Sequence, residues 1–218
     1  MVPVRTLRSG SSTTVEVEIK RSRFIATVAR TNSAQEARQL IDLARSTFPD
    51  ARHHCSAYVV EADRVNPLQH FSDDGEPAGT AGKPMLDVLT HAELGNVTAV
   101  VTRYFGGTLL GTGGLVRAYS GAVQEAVAAA SIVEVHTLAR FRTELNPAVG
   151  GRIEAQLRDA GWQVLDSVWG QTLRLDVAAP PEALARLNSE LSAWLQSPSA
   201  FQQVGTIDCE VDSDAAEQ

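Results

Sequence analysis

The stretch TRYFGGTLLGTGGLVRAYSG, residues 102–121, contains six of the 16 glycines in the chain. It begins at the end of the β-branched segment VTAVVTR, which predicts a buried strand, and it continues into a segment with helical periodicity. A loop between a strand and the start of a helix presents free backbone N–H groups and the positive end of the helix dipole. The stretch therefore predicts either an anion- or partner-binding loop or a turn that needs glycine for its backbone conformation.

Two standard nucleotide-binding patterns do not match this loop. Gly106 and Gly111 have the spacing of a phosphate-binding P-loop, but Thr112 and Gly113 occupy the positions of its Lys and its Ser or Thr. Gly111 and Gly113 also begin a dinucleotide-binding fingerprint, in which Val116 replaces the third small residue. Nucleotide binding by either route is therefore not expected. A purely structural role, in which the glycines allow positive φ and close strand–helix packing, is the alternative to anion binding.

Arg117 lies in the first turn of the helix that follows the loop. The apolar stripe of this helix contains Leu115, Tyr119 and Ala122, and Arg117 lies roughly opposite to it. A cation in the first turn opposes the helix dipole, so an anionic partner would offset an unfavourable interaction. That partner is either an external ligand or a carboxylate of the acidic segment 70–86, and a solvated arginine is the alternative.

The segment HFSDDGEPAGTAGKPML, residues 70–86, has three carboxylates within four positions: Asp73, Asp74 and Glu76. It does not follow the alternating oxygen-ligand pattern of a calcium loop. Carboxylates so close in sequence seldom face one bond as a hydrolytic pair, and no histidine stands at a known metal-ligand spacing from them. The Asp-Gly and Glu-Pro pairs instead predict a turn-rich loop. Its acids are expected to pair with basic residues of the same region: Lys83, Arg103 or Arg117.

The two cysteines, Cys55 and Cys209, lie in different halves of the chain, and neither belongs to a C-x-x-C motif. Nothing in the sequence favours a disulfide between them, and we expect a reducing, cytoplasmic location. Cys55 follows His54 on a predicted strand, so the two side chains face opposite sides, and Cys55 is expected in the core rather than as a nucleophile. We find no motif for a metal or another cofactor, and no apolar run reaches the roughly 20 residues of a membrane span.

The net charge of −7 is unevenly distributed along the chain. Residues 208–218 contain five acidic residues and no basic one, which leaves the rest of the chain at −2. We therefore predict a nearly neutral folded body that is followed by a frayed acidic tail. A neutral body does not argue against contact with nucleic acid, but no basic stripe argues for it either.

The first half of the chain alternates between strand and helix patterns. Strands are predicted over 14–19 and 23–30, and a helix follows that begins with a capping box at Ser33 and Glu36. The strand HHCSAYVVE precedes a long polar loop over 62–83, and further helices flank the strand and glycine loop of residues 97–114. Loops of this length are often functional.

After the strand IVEVHTL, the pattern restarts near residue 137 with the strand TLARFRTEL. The order from there to about residue 208 is β-α-β-β-α-β, which predicts a ferredoxin-like domain. The predicted fold is therefore α+β with two domains. A first domain covers residues 1–136, the ferredoxin-like domain covers 137–208, and the acidic tail covers 209–218.

The segments SDDGEPAGTAGKPML and NVTAVVTRYFGGTLLGTGGLVRAYSGAV closely resemble the Impact family, including its bacterial YigZ-type members. The family signature is matched from Gly82 to Gly111, and HHCSAYVV is similar to the strand that precedes it in the family. The resemblance covers residues 1–135 and is specific because the match is long and irregular. The second half resembles the additional C-terminal domain of the bacterial members, with less specific motifs.

The resemblance implies that the first domain is similar to domain IV of elongation factor G, an α/β sandwich that also occurs in ribosomal proteins and small-molecule kinases. It implies that the second domain is similar to the ferredoxin-like domain V of that factor. Eukaryotic Impact proteins regulate translation by binding the activator of a kinase that phosphorylates an initiation factor. This chain shows no RWD domain ahead of its Impact segment, so we do not expect that role to apply unchanged. Binding to nucleic acid or the ribosome is expected by analogy of fold.

These observations predict a cytoplasmic, non-enzymatic binding protein that is linked to translation through RNA, the ribosome or a protein partner. The candidate anion- or partner-binding residues come from the acidic segment, the glycine loop and the helix after it: Asp73, Asp74, Glu76, Lys83, Arg103, Tyr104, Gly106, Gly107, Gly111, Gly113, Gly114 and Arg117. Arginines and N–H groups would hold phosphate, Tyr104 would stack a base, and the acids would orient the arginines. The alternatives are an enzyme that acts on a small phosphorylated or peptide substrate in the same cleft, and a pure protein-interaction module. The partner and the oligomeric state are left open.

Overall fold

The computed structural model describes residues 3–61 and 66–212. They divide into two compact units: an N-terminal unit of Val4–Val135, which also includes the chain from Glu210, and a C-terminal unit of His136–Cys209. Helices and mainly antiparallel strands occur in both units, which confirms the predicted α+β class. None of the helices in the described ranges is long and apolar enough to span a membrane.

The N-terminal unit is built on an antiparallel sheet with the strand order β2–β3–β6–β4–β5. In chain order its elements are β1 (Val4–Leu7), β2 (Ser12–Ile19), β3 (Ser22–Arg30), α1 (Ala34–Thr47), β4 (His53–Val60), β5 (Leu68–Ser72), α2 (Gly82–His91), β6 (Val97–Tyr104) and α3 (Thr112–Ala128). Strand β1 lies outside this sheet and pairs with residues 132–135.

Helices cover both faces of this sheet. α2 and α3 pack on one face, where the strand residues Phe24 and Val101 share a buried cluster with Tyr119 of α3. α1 packs on the other face, where Ala37 contacts Tyr58 of β4. A sheet that is buried on both faces needs apolar residues at successive positions, which explains the continuous β-branched run of β6. The arrangement is the α/β sandwich that the family resemblance implies.

The remainder of the chain has the predicted ferredoxin-like topology. Its elements are β7 (Ile132–Leu145), α4 (Pro147–Asp159), β8 (Gln163–Trp169), β9 (Leu173–Ala179), α5 (Leu184–Leu195) and β10 (Gln202–Asp212). The spatial order is β10–β7–β9–β8, so the last strand lies beside the first, and this confirms the ferredoxin-like fold of the second half. Ile153 and Leu157 of α4 and Leu187 and Leu191 of α5 pack with Phe141 in its core.

Strand β7 runs without interruption across residue 137, where the sequence analysis expects two separate strands. Residues 132–135 pair with β1, and residues 139–145 pair with β9. The alternation of buried and less buried side chains pauses at residues 136–138, which are all half-buried. The expectation of two strands is wrong, because this interruption of the alternation looks like the end of a strand in the sequence.

Strand β5 lies within the segment that the sequence predicts to be a loop over 62–83. It pairs with β4 at the edge of the sheet, and four of its five residues are exposed. An edge strand with little burial needs no apolar alternation, so the sequence LQHFS carries almost no strand signal. Residues 62–65 of the predicted loop lie outside the described residues.

Residues 209–212 form the end of β10, although the sequence analysis assigns them to the frayed tail. The Glu210 carboxylate accepts hydrogen bonds from the Ser9 N–H (3.1 Å) and from the Arg30 guanidinium (2.6 Å). Glu210 therefore pairs with residues close to the start of the chain. Residues 213–218 of the predicted tail lie outside the described residues.

Candidate functional site

Most of the predicted site residues lie at one end of the N-terminal sheet. Strands β5 and β6 end there, at Ser72 and Tyr104, and β3 begins there at Ser22. The acidic loop, residues 73–81, connects β5 to α2, and the glycine loop, residues 105–111, connects β6 to α3. Because β4 pairs with both β5 and β6, the two loops leave the same end of the sheet.

The Asp73 carboxylate anchors the start of α2. It accepts hydrogen bonds from three backbone N–H groups: Gly79 (2.8 Å), Ala81 (3.0 Å) and Gly82 (2.8 Å). The first N–H groups of a helix have no partner within the helix, and a carboxylate satisfies them while it complements the helix dipole. Asp73 therefore has a structural role at the helix start, and its oxygens are already occupied.

The Asp74 carboxylate fastens the acidic loop to β4 and α1. Its Oδ2 accepts from the His54 N–H at 2.6 Å, and its Oδ1 accepts from the Arg45 guanidinium at 3.0 Å. The Asp74 carbonyl oxygen lies 2.8 Å from His53 Nδ1, and the residue has φ +44°, a conformation that Asp tolerates better than most residues. Both carboxylate oxygens and the carbonyl oxygen of Asp74 are therefore fixed by neighbouring residues.

Glu76 is the buried member of the acidic loop, with 9% of its surface exposed. Its Oε1 accepts hydrogen bonds from Arg103 Nη1 at 2.6 Å and from the Tyr119 hydroxyl at 2.7 Å. The structure thus brings Arg103 into salt-bridge contact with the loop, as the sequence analysis expects. A buried charge needs such a partner, because leaving water is costly for an unpaired carboxylate.

Burial changes the acid–base properties of several groups around Glu76. It raises the pKa of the Tyr119 hydroxyl well above its ordinary value, with neighbouring Cys55 and Glu76 acting in the same direction. It raises the pKa of the Cys55 thiol to about 12, and that thiol donates a hydrogen bond to the Asp73 carbonyl oxygen at 3.0 Å. Burial also lowers the pKa of His54, against the attraction of nearby Asp74. The thiol and phenol are therefore neutral near pH 7, which agrees with the expected core position of Cys55.

We predict that Cys55 does not react with a disulfide reagent in the native protein. With a pKa of about 12, roughly one thiol in ten thousand is ionised at pH 8, and the side chain has no exposed surface. Both cysteines are free, so a colorimetric thiol assay should release two equivalents only after unfolding in guanidinium. A Cys209→Ser variant isolates Cys55, and fast native reaction of that variant at pH 8 would contradict the prediction.

The Arg103 guanidinium lies close to two aromatic rings. Its central carbon is 5.4 Å from the ring centroid of Phe24, which is buried, and 5.6 Å from that of Phe105, which is 49% exposed. The Nε atom of Arg103 is buried without a hydrogen-bond partner. Arg103 itself is 6% exposed, so it does not present a free cation to solvent.

Two basic residues that are expected to pair with the acidic loop, Lys83 and Arg117, form no ion pair with it in the described part of the chain. Lys83 forms an ion pair with Asp87 one turn further along α2. Arg117 is exposed, and its Nε donates to the Gly113 carbonyl oxygen at 3.2 Å, so its acceptor is the first turn of its own helix. Neither side chain contacts a carboxylate of the acidic loop within the described residues. The expectation of an Arg117 salt bridge is therefore wrong, because Arg117 lies in the second turn of α3, exposed to solvent, and its Nε has a backbone acceptor there.

Tyr104 is half-buried, and a basic side chain already covers its ring. The Arg23 guanidinium carbon lies 5.3 Å from the centroid, while the same group forms two hydrogen bonds to Glu16 at 2.7 and 2.9 Å. The stacking surface that the sequence analysis assigns to Tyr104 is therefore occupied on one side. Phe105 provides the more exposed ring at this end of the sheet.

The glycine loop rests directly on the turn between β2 and β3. The Gly106 N–H donates to Ser22 Oγ at 3.1 Å, and a Cβ atom at Gly106 would lie 2.0 Å from the carbonyl carbon of Arg21. Only glycine permits this approach. Lys20 (φ +48°) and Arg21 (φ +66°) form the turn, and both are exposed.

The other glycines of the predicted site occupy different backbone environments. Gly107 (φ +83°) and Gly111 (φ +73°) adopt left-handed conformations, and Gly111 is the residue before α3. Gly113 and Gly114 lie within the first turn of α3. The structural alternative, in which glycine is needed for positive φ and close packing, therefore accounts for the glycines of the loop. Helix α3 begins without a side-chain cap and has no acidic residue in its first turn.

Tyr119, Phe105, Lys20 and Arg21 are the residues of this region that sequence reasoning does not identify. Tyr119 falls on the apolar stripe of its helix, and a buried tyrosine hydroxyl usually has a polar partner, which is the available signal. The other three become neighbours only through the pairing of β3 with β6. No group of three or more histidine, cysteine or acidic residues in the described residues could hold a metal ion.

Comparisons with known proteins find relatives that match most of this chain. The family described as the Impact N-terminal domain matches residues 20–127. IMPACT family member YigZ of Escherichia coli K12 is 41% identical over 179 residues, which are 82% of this chain and 88% of that protein. YvyE of Bacillus subtilis is 43% identical over 146 residues, 66% of each chain. A crystal structure described as that of a hypothetical protein is similar over 94% of this chain and 98% of its own, with 37% identity and a TM-score of 0.62.

Proposed function

Because this chain belongs to the Impact family, with its bacterial YigZ-type members, we propose that it is a non-enzymatic binding protein linked to translation regulation that contacts RNA with the glycine loop and the β2–β3 turn. The family relationship supports the link to translation, since regulators of translation occur among the Impact proteins. The geometry of the glycine loop and the β2–β3 turn supports the choice of this surface for RNA binding. We expect the protein to be located in the cytoplasm.

The pair of exposed basic residues beneath the glycine loop carries this proposal. Lys20 and Arg21 form no ion pair within the described residues, and Gly106 packs against the backbone of Arg21. The glycine loop leads into α3, whose first N–H groups have no side-chain cap. Basic side chains and free backbone N–H groups are the usual contacts of a nucleic-acid phosphate.

The acidic loop supports binding rather than catalysis. Its three carboxylates accept hydrogen bonds from backbone N–H groups, from arginines and from a buried tyrosine. A general base or nucleophile needs access to a substrate, and the Cys55 thiol beside the acidic loop is buried and protonated. These residues therefore shape the loops, which favours the binding role over the enzyme alternative.

We predict that the double variant Lys20→Gln/Arg21→Gln binds single-stranded RNA more weakly and with a smaller dependence on salt. Loss of two phosphate contacts should reduce the slope of log affinity against log salt by about 1.4. Fluorescence anisotropy of a labelled mixed-sequence strand between about 50 and 200 mM salt measures this slope. The variant should remain folded, since both side chains are exposed.

A control variant, Arg38→Gln/Arg158→Gln, loses the same charge from the exposed surfaces of α1 and α4. It should retain the slope of the native protein. Equal effects of the two double variants would indicate only a general charge effect. Absence of salt-sensitive binding by the native protein, both to RNA and to ribosomes in co-sedimentation at about 50 mM salt, would overturn the proposal.

A protein partner is the second candidate, and one observation favours it. Leu109, in the glycine loop, is 84% exposed, and Phe105 is 49% exposed in the same loop. Apolar side chains held so far into solvent are typical of a protein-contact surface. In that case Leu109→Ala should abolish capture of the partner, and the double variant at Lys20 and Arg21 should leave it unchanged.

A further inference from the structure

The buried ion pair between Arg103 and Glu76 leaves several hydrogen-bonding groups unused. A guanidinium has five N–H donors, and within the described residues Arg103 uses one nitrogen, Nη1, to contact Glu76. Its Nε is fully buried without a partner. Both bonds to Glu76 end at Oε1, so the second carboxylate oxygen has no partner in the described part of the chain. Unused donors and an unused acceptor therefore lie side by side.

These unused groups lie next to an exposed aromatic ring. The Arg103 guanidinium carbon lies 5.6 Å from the ring centroid of Phe105 and 5.4 Å from that of Phe24. Phe105 is half exposed and immediately precedes Gly106 in the glycine loop, whereas Phe24 is fully buried. A flat group that reaches this point has a ring face to stack on and polar groups beside it.

The charges at this point select against a phosphate. The Glu76 carboxylate neutralises Arg103 at 2.6 Å and would repel a second anion. Arg103 Nε is fully buried, so a neutral group with a donor and an acceptor next to each other would fit the second Glu76 carboxylate oxygen and the remaining guanidinium nitrogen, Nη2. The edge of an unpaired nucleobase has this pattern, and its face stacks on aromatic side chains.

We propose that Phe105, Arg103 and Glu76 form a subsite for one unpaired nucleobase of a bound RNA strand. This inference rests on the proposed function and divides the work between two groups of residues. Lys20 and Arg21 contact phosphates, which makes binding sensitive to salt. Phe105 stacks on the base, and the ion pair beneath it contacts the base edge, which makes binding sensitive to the presence of a base.

The test compares a short single-stranded RNA of mixed sequence with an abasic strand of the same length, both in fluorescence anisotropy. Phe105→Ala should weaken binding of the RNA about tenfold and leave its salt slope unchanged, because stacking involves no counterions. The abasic strand should bind equally to the native protein and to the variant. Phe71→Ala is the matched control, since Phe71 is a phenylalanine of similar exposure (42%) on β5.

Glu76→Gln provides a second variant that keeps the shape of the side chain. It replaces a hydrogen-bond acceptor by a donor at the base edge. The ranking of affinities for homopolymeric RNA strands, each made of one kind of base, should therefore change. Free nucleoside monophosphates that displace RNA from the native protein but not from Phe105→Ala would support the subsite and extend it to free nucleotides.

Two outcomes overturn the inference, and they can be told apart. If the native protein binds RNA with the expected salt slope, but Phe105→Ala binds both strands like the native protein, the base subsite is wrong and the proposed function stands. If the native protein binds neither strand, both the subsite and the proposed function are wrong.

Discussion

Replacing Arg103 with alanine is expected to lower the free energy of unfolding by about 3–5 kcal/mol, because the change leaves a buried carboxylate without its ion-pair partner. Arg103 is 6% exposed, and its Nη1 lies 2.6 Å from Glu76 Oε1. In the variant, only the Tyr119 hydroxyl continues to donate to that carboxylate. Urea unfolding followed by circular dichroism measures the change as a lower midpoint with an unchanged slope.

Arg23→Ala is the matched control for this prediction. Arg23 lies on the neighbouring strand and forms two hydrogen bonds to Glu16, but both side chains are nearly half exposed, so the variant should change the stability little. The double variant Glu76→Leu/Arg103→Met removes both charges and should lose less stability than the two single losses combined. Additive losses, or an Arg103→Ala variant as stable as Arg23→Ala, would contradict the role assigned to the ion pair.

Gly106→Ala is expected to lower the free energy of unfolding by about 3 kcal/mol, at the upper end of the usual effects of added volume. The new Cβ atom would lie 2.0 Å from the carbonyl carbon and 2.2 Å from the carbonyl oxygen of Arg21. These are backbone atoms of the β2–β3 turn, so no side-chain rotation relieves the clash, and the loop and turn must separate. The same unfolding measurement quantifies the loss.

Gly121→Ala is the corresponding control, since Gly121 lies within α3 and a Cβ atom there would meet no heavy atom within 4 Å. Alanine is the better helix former, so this variant should be more stable by about 0.5–1 kcal/mol. A Gly106→Ala variant with native stability would show that the contact between the glycine loop and the β2–β3 turn is looser than the structure indicates.

The order of helices and strands follows from the sequence wherever local chemistry specifies an element. Ser33 caps α1 as its capping box predicts, with the Glu36 N–H donating to Ser33 Oγ at 3.1 Å. In the C-terminal unit, the apolar periods and turns suffice to predict the ferredoxin-like topology. Strand β5 is missed for the opposite reason, because an exposed edge strand requires neither buried alternation nor strong strand formers.

The candidate site is only partly predictable, because its contacts join residues that are distant in sequence. The proximity of Glu76 and Arg103 follows from opposite charges in two loops at one end of a sheet. The third member, Tyr119, is 43 residues from Glu76 and looks like an ordinary core residue of α3. Lys20 and Arg21 reach the glycine loop through the register of β3 with β6, and no local pattern reveals a register.

The error at Arg117 has a physical explanation. The sequence places Arg117 in the first turn of α3, where a cation favours an anionic partner and a solvated arginine is the alternative, but α3 begins at Thr112, so Arg117 lies in the second turn. Its Nε donates to the Gly113 carbonyl oxygen one turn earlier in the helix, and the side chain remains exposed to water. A local acceptor and solvent together remove the need for an ion pair, and a helical wheel does not show this.

The way in which Asp74 is held also affects how the protein ages chemically. Asp-Gly pairs are prone to isomerise, because the aspartyl carboxyl group can cyclise onto the nitrogen of the glycine and reopen with the backbone rerouted through the side chain. In the pair Asp74–Gly75, both carboxylate oxygens already accept hydrogen bonds, from the His54 N–H at 2.6 Å and from Arg45 at 3.0 Å. Cyclisation would have to break both bonds first. The native fold is therefore expected to delay isoaspartate formation at a sequence that would acquire this damage readily in an unfolded chain.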